Sequence, residues 1–315
     1  MKKLALKFLL LILPFIIFIF LINARYVSTN HWKAENNVWK FNFVPEQIQL
    51  ANFGSSHGEY GFFYDDFSQY RTFNFAVNSQ RYFWDYGILQ QYIDSFAPNA
   101  VVLLPISYFG IIGRAENYDD LRPRYYRFLK KKYFDEWSIW DYIRYVSVPL
   151  LSAGKNIMKI FDDIPAENID VFNSRTIYMT EAELQDYCHK KHESWTNPEK
   201  EKGDEGYLQN LEEVCQLVKF CLDKGLKPVL VTTPITTVLN DIYKEQSPNF
   251  FPTFYRFIAD VQDQFPGVPY FDYSHDPEFS SNFELFADGD HLNVYGARQF
   301  TARVVQDLQE AGLLQ

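Results

Sequence analysis

Positive charge is the scarcer sign in this chain: 30 Lys and Arg against 40 Asp and Glu leave a formal net charge of −10. A surface of that sign repels phosphate backbones, which excludes nucleic acid as a partner. Cysteine is sparse too, with only Cys188, Cys215 and Cys221. Three residues build no disulfide framework. Cys215 and Cys221 fall on roughly opposite faces of a helical pattern at ~100° per residue, so buried thiols are expected. No His/Cys cluster has zinc-ligand spacing, and neither a P-loop nor a GxGxxG occurs, so neither a metal nor a cofactor is expected. Gly (14) and Pro (15) are few in 315 residues while 47% are hydrophobic, which excludes a disordered or low-complexity chain.

Aromatic residues, by contrast, are abundant, with 30 Phe and 22 Tyr. Such an excess packs a core, lines a sugar- or lipid-facing groove, or does both. At the N-terminus, Lys2, Lys3 and Lys7 precede an apolar run from Phe8 to Ile22. The run is shorter than the ~20 residues of a spanning helix. Leu4, Ala5 and Leu6 extend it if Lys7 snorkels to the interface. No small-x-small cleavage site follows, and no cysteine that could carry a lipid. A retained signal anchor over residues 1–24 is therefore expected in preference to a cleaved leader, and both readings put the rest of the chain outside the cytoplasm. Residues 25–46, polar and Asn-rich with Trp32, Trp39, Phe41 and Phe43 interspersed, read as a stalk packing onto a body of residues 47–315.

Short β-branched or aromatic runs at Ile48–Phe53, Thr72–Val77, Ala100–Pro105, Pro228–Thr232 and Val268–Asp272 suit strands buried in a parallel sheet. Tyr82–Ser95, Leu208–Lys224, Phe254–Phe265 and Tyr295–Ala311 carry apolar residues at helical spacing. This alternation predicts a flavodoxin-like three-layer α/β/α fold with a central parallel sheet. It fails over residues 107–205, which read as a mostly helical insertion after the third strand, near the carboxyl edge of the sheet. Within it, Arg122–Phe134 mixes six basic residues with Tyr125, Tyr126, Phe128 and Tyr133. That stretch is either a solvated helix face or a surface for anionic lipid or polymer.

Two segments carry chemistry. In Asn52-Phe53-Gly54-Ser55-Ser56-His57-Gly58 an apolar strand runs into a tight turn, where a serine hydroxyl can stand clear of the sheet beside backbone N–H donors. In Phe286-Ala287-Asp288-Gly289-Asp290-His291-Leu292-Asn293, a loop before the last helix sets a carboxylate three residues from a histidine. At that spacing Asp288 can fix the His291 tautomer and stabilise its imidazolium. Asp290 is the alternative carboxylate, but the three-residue spacing favours Asp288. His57 reads as a turn histidine before a residue that shapes the site, and His275 and Asp276 as part of a strand-to-loop exit before a cleft lining.

Together these blocks resemble the SGNH (GDSL-like) hydrolase family, over roughly Ile48–Val77, the third strand and Pro228–Leu308. By position the resemblance implies Ser56 as nucleophile, Asp288 as orienting acid and His291 as general base. It also implies an oxyanion hole that includes the backbone N–H groups of Ser56 and Ser79. Ser79, in Asn74-Phe75-Ala76-Val77-Asn78-Ser79-Gln80, stands where the family usually has Gly. The usual Asn after the third strand is absent, and Ser107 or Tyr108 lies near its place. The anchor, the Gly-Ser-Ser turn and the missing Asn are similar to the branch typified by the D-alanyl transfer protein of teichoic-acid biosynthesis, with alginate-type O-acetylation proteins more distant. The resemblance implies an acyl donor, an envelope-polymer acceptor and a membrane-bound O-acyltransferase as partner. Transferase and hydrolase both remain open, with the anchor and insertion favouring the transferase. A non-catalytic scaffold subunit and a secreted carbohydrate esterase are the alternatives.

Overall fold

The computed structural model describes residues 2–111, 121–161, 179–195 and 203–315. Of the 107–205 stretch, residues 112–120, 162–178 and 196–202 lie outside the described residues. The chain forms two compact units. One holds the described residues of Met1–Asn42 and Arg122–Asp170, the other those of Phe43–Leu121 and Val171–Gln315.

The first unit begins with helix α1 (Lys2–Ser28), whose Leu10–Ser28 portion has a mean hydropathy of 2.3 and is long and apolar enough to cross a membrane. The residues read as a stalk carry structure of their own: a short helix, Asn30–Ala34, and a kinked 3₁₀ segment, Glu35–Phe43. Thr29 caps the short helix by accepting the Trp32 N–H at 3.1 Å. Val38 and Phe41 are buried, and the Phe41 ring stacks on Phe128 with centroids 3.7 Å apart. The basic-aromatic stretch is no uniform solvated face, because Arg124, Tyr125 and Tyr126 are buried. Arg127 lies with its guanidinium 3.8 Å from the Trp32 ring centroid, and burial, opposed by Glu35, pushes its pKa down to about 10.

The second unit holds the sheet. Strands β1 (Ile48–Asn52), β2 (Thr72–Asn74), β3 (Phe96–Pro105), β4 (Lys227–Thr232) and β5 (Tyr270–Asp272) are all parallel, in the order β2-β1-β3-β4-β5. This is the flavodoxin-like strand order. Five strands stand where five apolar runs occur in the sequence. β2 stops at Asn74, three residues short of the apolar run, because the Asn74 side chain turns the chain by accepting the Ala76 N–H at 3.0 Å.

The helices are α2 (Ser56–Gly61), α3 (Tyr82–Tyr92), α4 (Glu181–Trp195), α5 (Gly203–Asp223), α6 (Thr237–Gln246), α7 (Phe250–Gln264) and α8 (Val294–Glu310). Alternation along the strands sends Leu50, Val101, Leu103, Val229 and Val231 to one face, where they share a core with Phe300, Val304 and Leu308 of α8. Burying a side chain such as Phe300 stabilises the fold by roughly 2–3 kcal/mol. The intervening residues Ala51, Val102, Leu104 and Leu230 are buried on the opposite face, where α3, α5 and α7 pack on one another. The carboxyl ends of β1 and β3 adjoin at the point where strand order reverses, the usual place for a site in such sheets.

Candidate active site

β1 delivers its chain into a turn that is fixed from below. Gly54 has φ +101, a region costly for any residue with a Cβ. Its N–H donates to Asp85 Oδ1 at 2.9 Å, and Gln80 Nε2 donates to the same oxygen at 2.6 Å. Burial pushes the Asp85 carboxyl up to about 7. α2 then starts at Ser56, and its last carbonyls are tied to the sheet. Asn52 Nδ2 donates to Gly58 O at 2.9 Å, and Asn74 Nδ2 donates to Gly58 O at 3.0 Å and Glu59 O at 3.2 Å. Ser56 is thereby held rigidly and largely buried.

The second block is equally constrained. Asn293 caps α8, its Oδ1 accepting the N–H groups of Tyr295 and Gly296 at 3.0 Å each. Phe286 and Leu292 pair across the loop, and the Ala287 N–H donates to His291 O at 2.9 Å. Inside the loop, Asp288 Oδ1 accepts the backbone N–H groups of Asp290 (3.1 Å) and His291 (2.9 Å). Its two carboxylate oxygens each lie 2.9 Å from His291 Nδ1, while His291 Nε2 lies 2.8 Å from Ser56 Oγ. The structure therefore brings Ser56, His291 and Asp288 into one hydrogen-bonded line across 235 residues of sequence.

Asp290, the second carboxylate of the loop, makes a separate set of contacts. It is fully buried and faces α4, where Tyr187, Lys191 and Trp195 recur every fourth residue and so share a face. Tyr187 O–H donates to Asp290 Oδ1 at 3.1 Å, and Lys191 Nζ forms an ion pair with Asp290 Oδ2 at 3.1 Å while donating to the Tyr187 hydroxyl oxygen at 3.1 Å. Gly289 makes this approach possible, since a Cβ there would meet Cys188 Sγ at 2.5 Å.

His57 likewise belongs to the site. Its Nε2 lies 3.1 Å from Asp290 Oδ2, and its ring stacks on His291 with centroids 5.0 Å apart. Phe109 and Trp195 enclose it, at 5.5 and 6.3 Å between centroids. Burial lowers the His57 pKa and outweighs the pull of Asp290, so the ring is neutral at neutral pH and donates Nε2–H to the carboxylate. Burial alone would raise the Asp290 pKa. His291, the hydrogen bond from His57 and the Lys191 charge overcome it and hold the carboxyl well below its usual range. Asp290 Oδ1 is 3.6 Å from His291 Nδ1, farther than either oxygen of Asp288.

His57, Asp290 and His291 bring potential ligand atoms within 4.8 Å of one another. Lys191 already supplies a cation to Asp290, and Ser56 and Asp288 engage both nitrogens of His291. The trio is thus part of a hydrogen-bond and ion-pair network in which its facing atoms are already engaged.

Ser79 is exposed and has φ 57, so the backbone keeps the conformation that favours glycine although the residue is serine. Ser107 lines a shallow depression with Gly54, Ser55, Gln80, Arg81 and Phe109. Tyr108 points elsewhere, its O–H donating to Asn240 Oδ1 at 2.8 Å in the core. His275 sits against Phe251, and Asp276 caps a short helix, Pro277–Ser280. The three cysteines are free and buried.

No protein-family model matches the sequence, nor does any curated protein. Solved structures similar to this chain include a Streptococcus pneumonia protein provisionally described as a platelet activating factor. It is 11% identical, with a TM-score of 0.41, and the match covers 96% of this chain and 98% of that one. Another is a Bacteroides fragilis protein provisionally described as an acylhydrolase, 10% identical, with a TM-score of 0.43 and coverage of 89% and 96%. Similarity at this level leaves function to the geometry of the chain itself.

Asp85, Tyr187 and Lys191 are the site residues that the sequence reading passes over. The four-residue recurrence of Tyr187, Lys191 and Trp195 is visible as helix patterning, but nothing in the sequence ties that face to Asp290.

Proposed function

We propose that the chain is a membrane-anchored, extracytoplasmic serine acyl-transfer enzyme of SGNH type. The observation that carries this reading is the 2.8 Å approach of Ser56 Oγ to His291 Nε2, with Asp288 at the opposite ring nitrogen. Asp288 holds the proton on Nδ1, which leaves the Nε2 lone pair facing the hydroxyl. Ser56 Oγ attacks an ester or thioester carbonyl carbon as its proton passes to Nε2. Backbone N–H groups of Ser56 and Ser79 stabilise the oxyanion. Collapse expels the alcohol or thiol, which takes the proton from His291 and leaves acyl-Ser56. An acceptor hydroxyl then gives its proton to His291, attacks the acyl carbon and releases Ser56, which regains a proton.

The acceptor is a hydroxyl of a cell-envelope polysaccharide or teichoic-acid-like polymer, a class implied by the family resemblance of the two blocks. The second carboxylate, Asp290, adds negative potential beside the imidazolium; His291, His57 and Lys191 keep it ionised, and the Tyr187 hydrogen bond holds it in place. A fluorophosphonate probe tests the reading on the purified full chain. Labelling at Ser56 that disappears in Ser56→Ala is expected. Absence of labelling in the wild-type protein would favour a non-catalytic binding subunit instead.

A further inference from the structure

The first unit carries a surface that water does not explain. Between Ile139 and Phe161 the chain has many large apolar side chains, about half of them half-buried and the others exposed. Ile139, Leu151 and Met158 are exposed, and Trp140 and Phe161 reach 76% and 79% exposure. Clustered apolar exposure of this kind marks an interaction surface. The only acidic residue in the stretch is Asp141, against Arg144, Lys155 and Lys159.

A second observation says what covers it. Asn23 is a polar residue within the apolar span of α1, yet it is only 8% exposed. Its Nδ2 donates to Ser147 O at 3.3 Å, and its Oδ1 accepts the Leu150 N–H at 3.1 Å. These backbone groups flank Pro149, where the helical run Ile139–Ser147 breaks. In water such groups need no side-chain partner; in hydrocarbon every one must be satisfied internally. α1 also packs along Pro149–Ser152 and Gly154–Ile160, so these turns lie beside it.

We infer that Ile139–Phe161 inserts into the lipid bilayer beside α1, so that the unit is a membrane-embedded platform with one spanning helix and one interfacial arm. Trp140 and Tyr142 lie at headgroup level, Leu151, Met158 and Phe161 enter the acyl region, and Arg144, Lys155 and Lys159 meet anionic headgroups. The inference rests on the reading of α1 as a membrane span.

The test is photolabelling of the full chain, purified and reconstituted alone in vesicles of phosphatidylglycerol and phosphatidylethanolamine containing a diazirine-acyl lipid, with adducts mapped by mass spectrometry. Adducts are expected on α1 peptides and, in comparable yield, on peptides of Ile139–Phe161. In a variant combining Trp140→Ser, Leu151→Ser, Met158→Ser and Phe161→Ser, the second set should be lost and the first retained. Wild-type adducts on α1 alone would overturn the inference and leave the spanning helix standing. Adducts on neither would remove the spanning helix, and the arm with it.

Discussion

Two histidine–aspartate pairs stack against each other in this molecule, and their surroundings give them opposite work. In the Asp288–His291 pair the ring presents Nε2 to a serine hydroxyl at 2.8 Å. In the Asp290–His57 pair Nε2 is spent on the carboxylate at 3.1 Å, and Nδ1 is buried with no hydrogen-bond partner among the described residues. The first pair has an open nitrogen and a proton donor, so it can cycle a proton. The second is locked by Lys191 and Tyr187 and can only supply a fixed field. Residue type does not make a histidine a base. What its second nitrogen faces decides that.

The comparison fails at once if His291 is not the working base. His291→Ala should lower turnover on the order of 10⁴-fold or more, as should Ser56→Ala, while His57→Gln should cost far less. An ester-hydrolysis assay on the full chain decides it, and equal losses would erase the distinction. Next in size, Asp288→Asn lets the wrong ring nitrogen hold the proton and should cost on the order of 10³–10⁴ in kcat. Asp290→Asn should cost only on the order of 10–10² in kcat, because it removes a charge 3.6 Å from the ring without altering the tautomer.

Stability should rank those two carboxylates the other way. Asp290→Asn leaves the Lys191 charge, mostly buried, without its counter-ion and should destabilise the protein by roughly 3 kcal/mol. Asp288→Asn keeps most of its backbone hydrogen bonds and should cost about 1 kcal/mol. Urea unfolding of the two variants in detergent reads this crossing directly. Were the partly exposed Asp288 to matter more for stability, the assignment of roles would be reversed. Tyr187→Phe removes one hydrogen bond to Asp290 and should lower turnover less than about threefold, with about 1 kcal/mol lost.

How much of this was legible in the sequence follows from what each feature depends on. The five strands and the long helices rest on local periodicity, and the sheet order matches the fold class that periodicity implied. The spacing of Asp288 and His291 and the strand-borne Ser56 were visible because each depends on one short segment. α6 was not: Leu239, Ile242 and Tyr243 stand at helical spacing and are buried, but ten residues hold only one such repeat, too few to separate a helix from a short apolar run. The contact of His57 with Asp290 is not legible in the sequence, for a deeper reason. Their pairing spans 233 residues and is fixed by α4, whose distance in sequence from either loop hides the contact. The stretch Trp137–Leu151 reads as strongly apolar in sequence, yet apolar content alone does not say whether protein or lipid covers it.

A third carboxylate sharpens the contrast further and should have the smallest effect on turnover. Asp85 is buried like Asp290 but has no cation beside it among the described residues, and burial raises its pKa from 3.8 to about 7. Between these values the unfolded chain has released the proton while the folded chain still holds it. Stability from this group is therefore complete below pH ~4 and lost as pH rises through ~7, a change of about 4 kcal/mol. Asparagine can accept from Gly54 N–H and Gln80 through Oδ1 and never ionises. Asp85→Asn should fold, keep turnover within about threefold, and gain about 4 kcal/mol relative to the wild-type protein between pH 4 and 8. Paired urea curves across that range measure the difference. A flat difference would mean that Asp85 is ionised beneath the nucleophile turn and that a cation, as at Asp290, is not what separates the two.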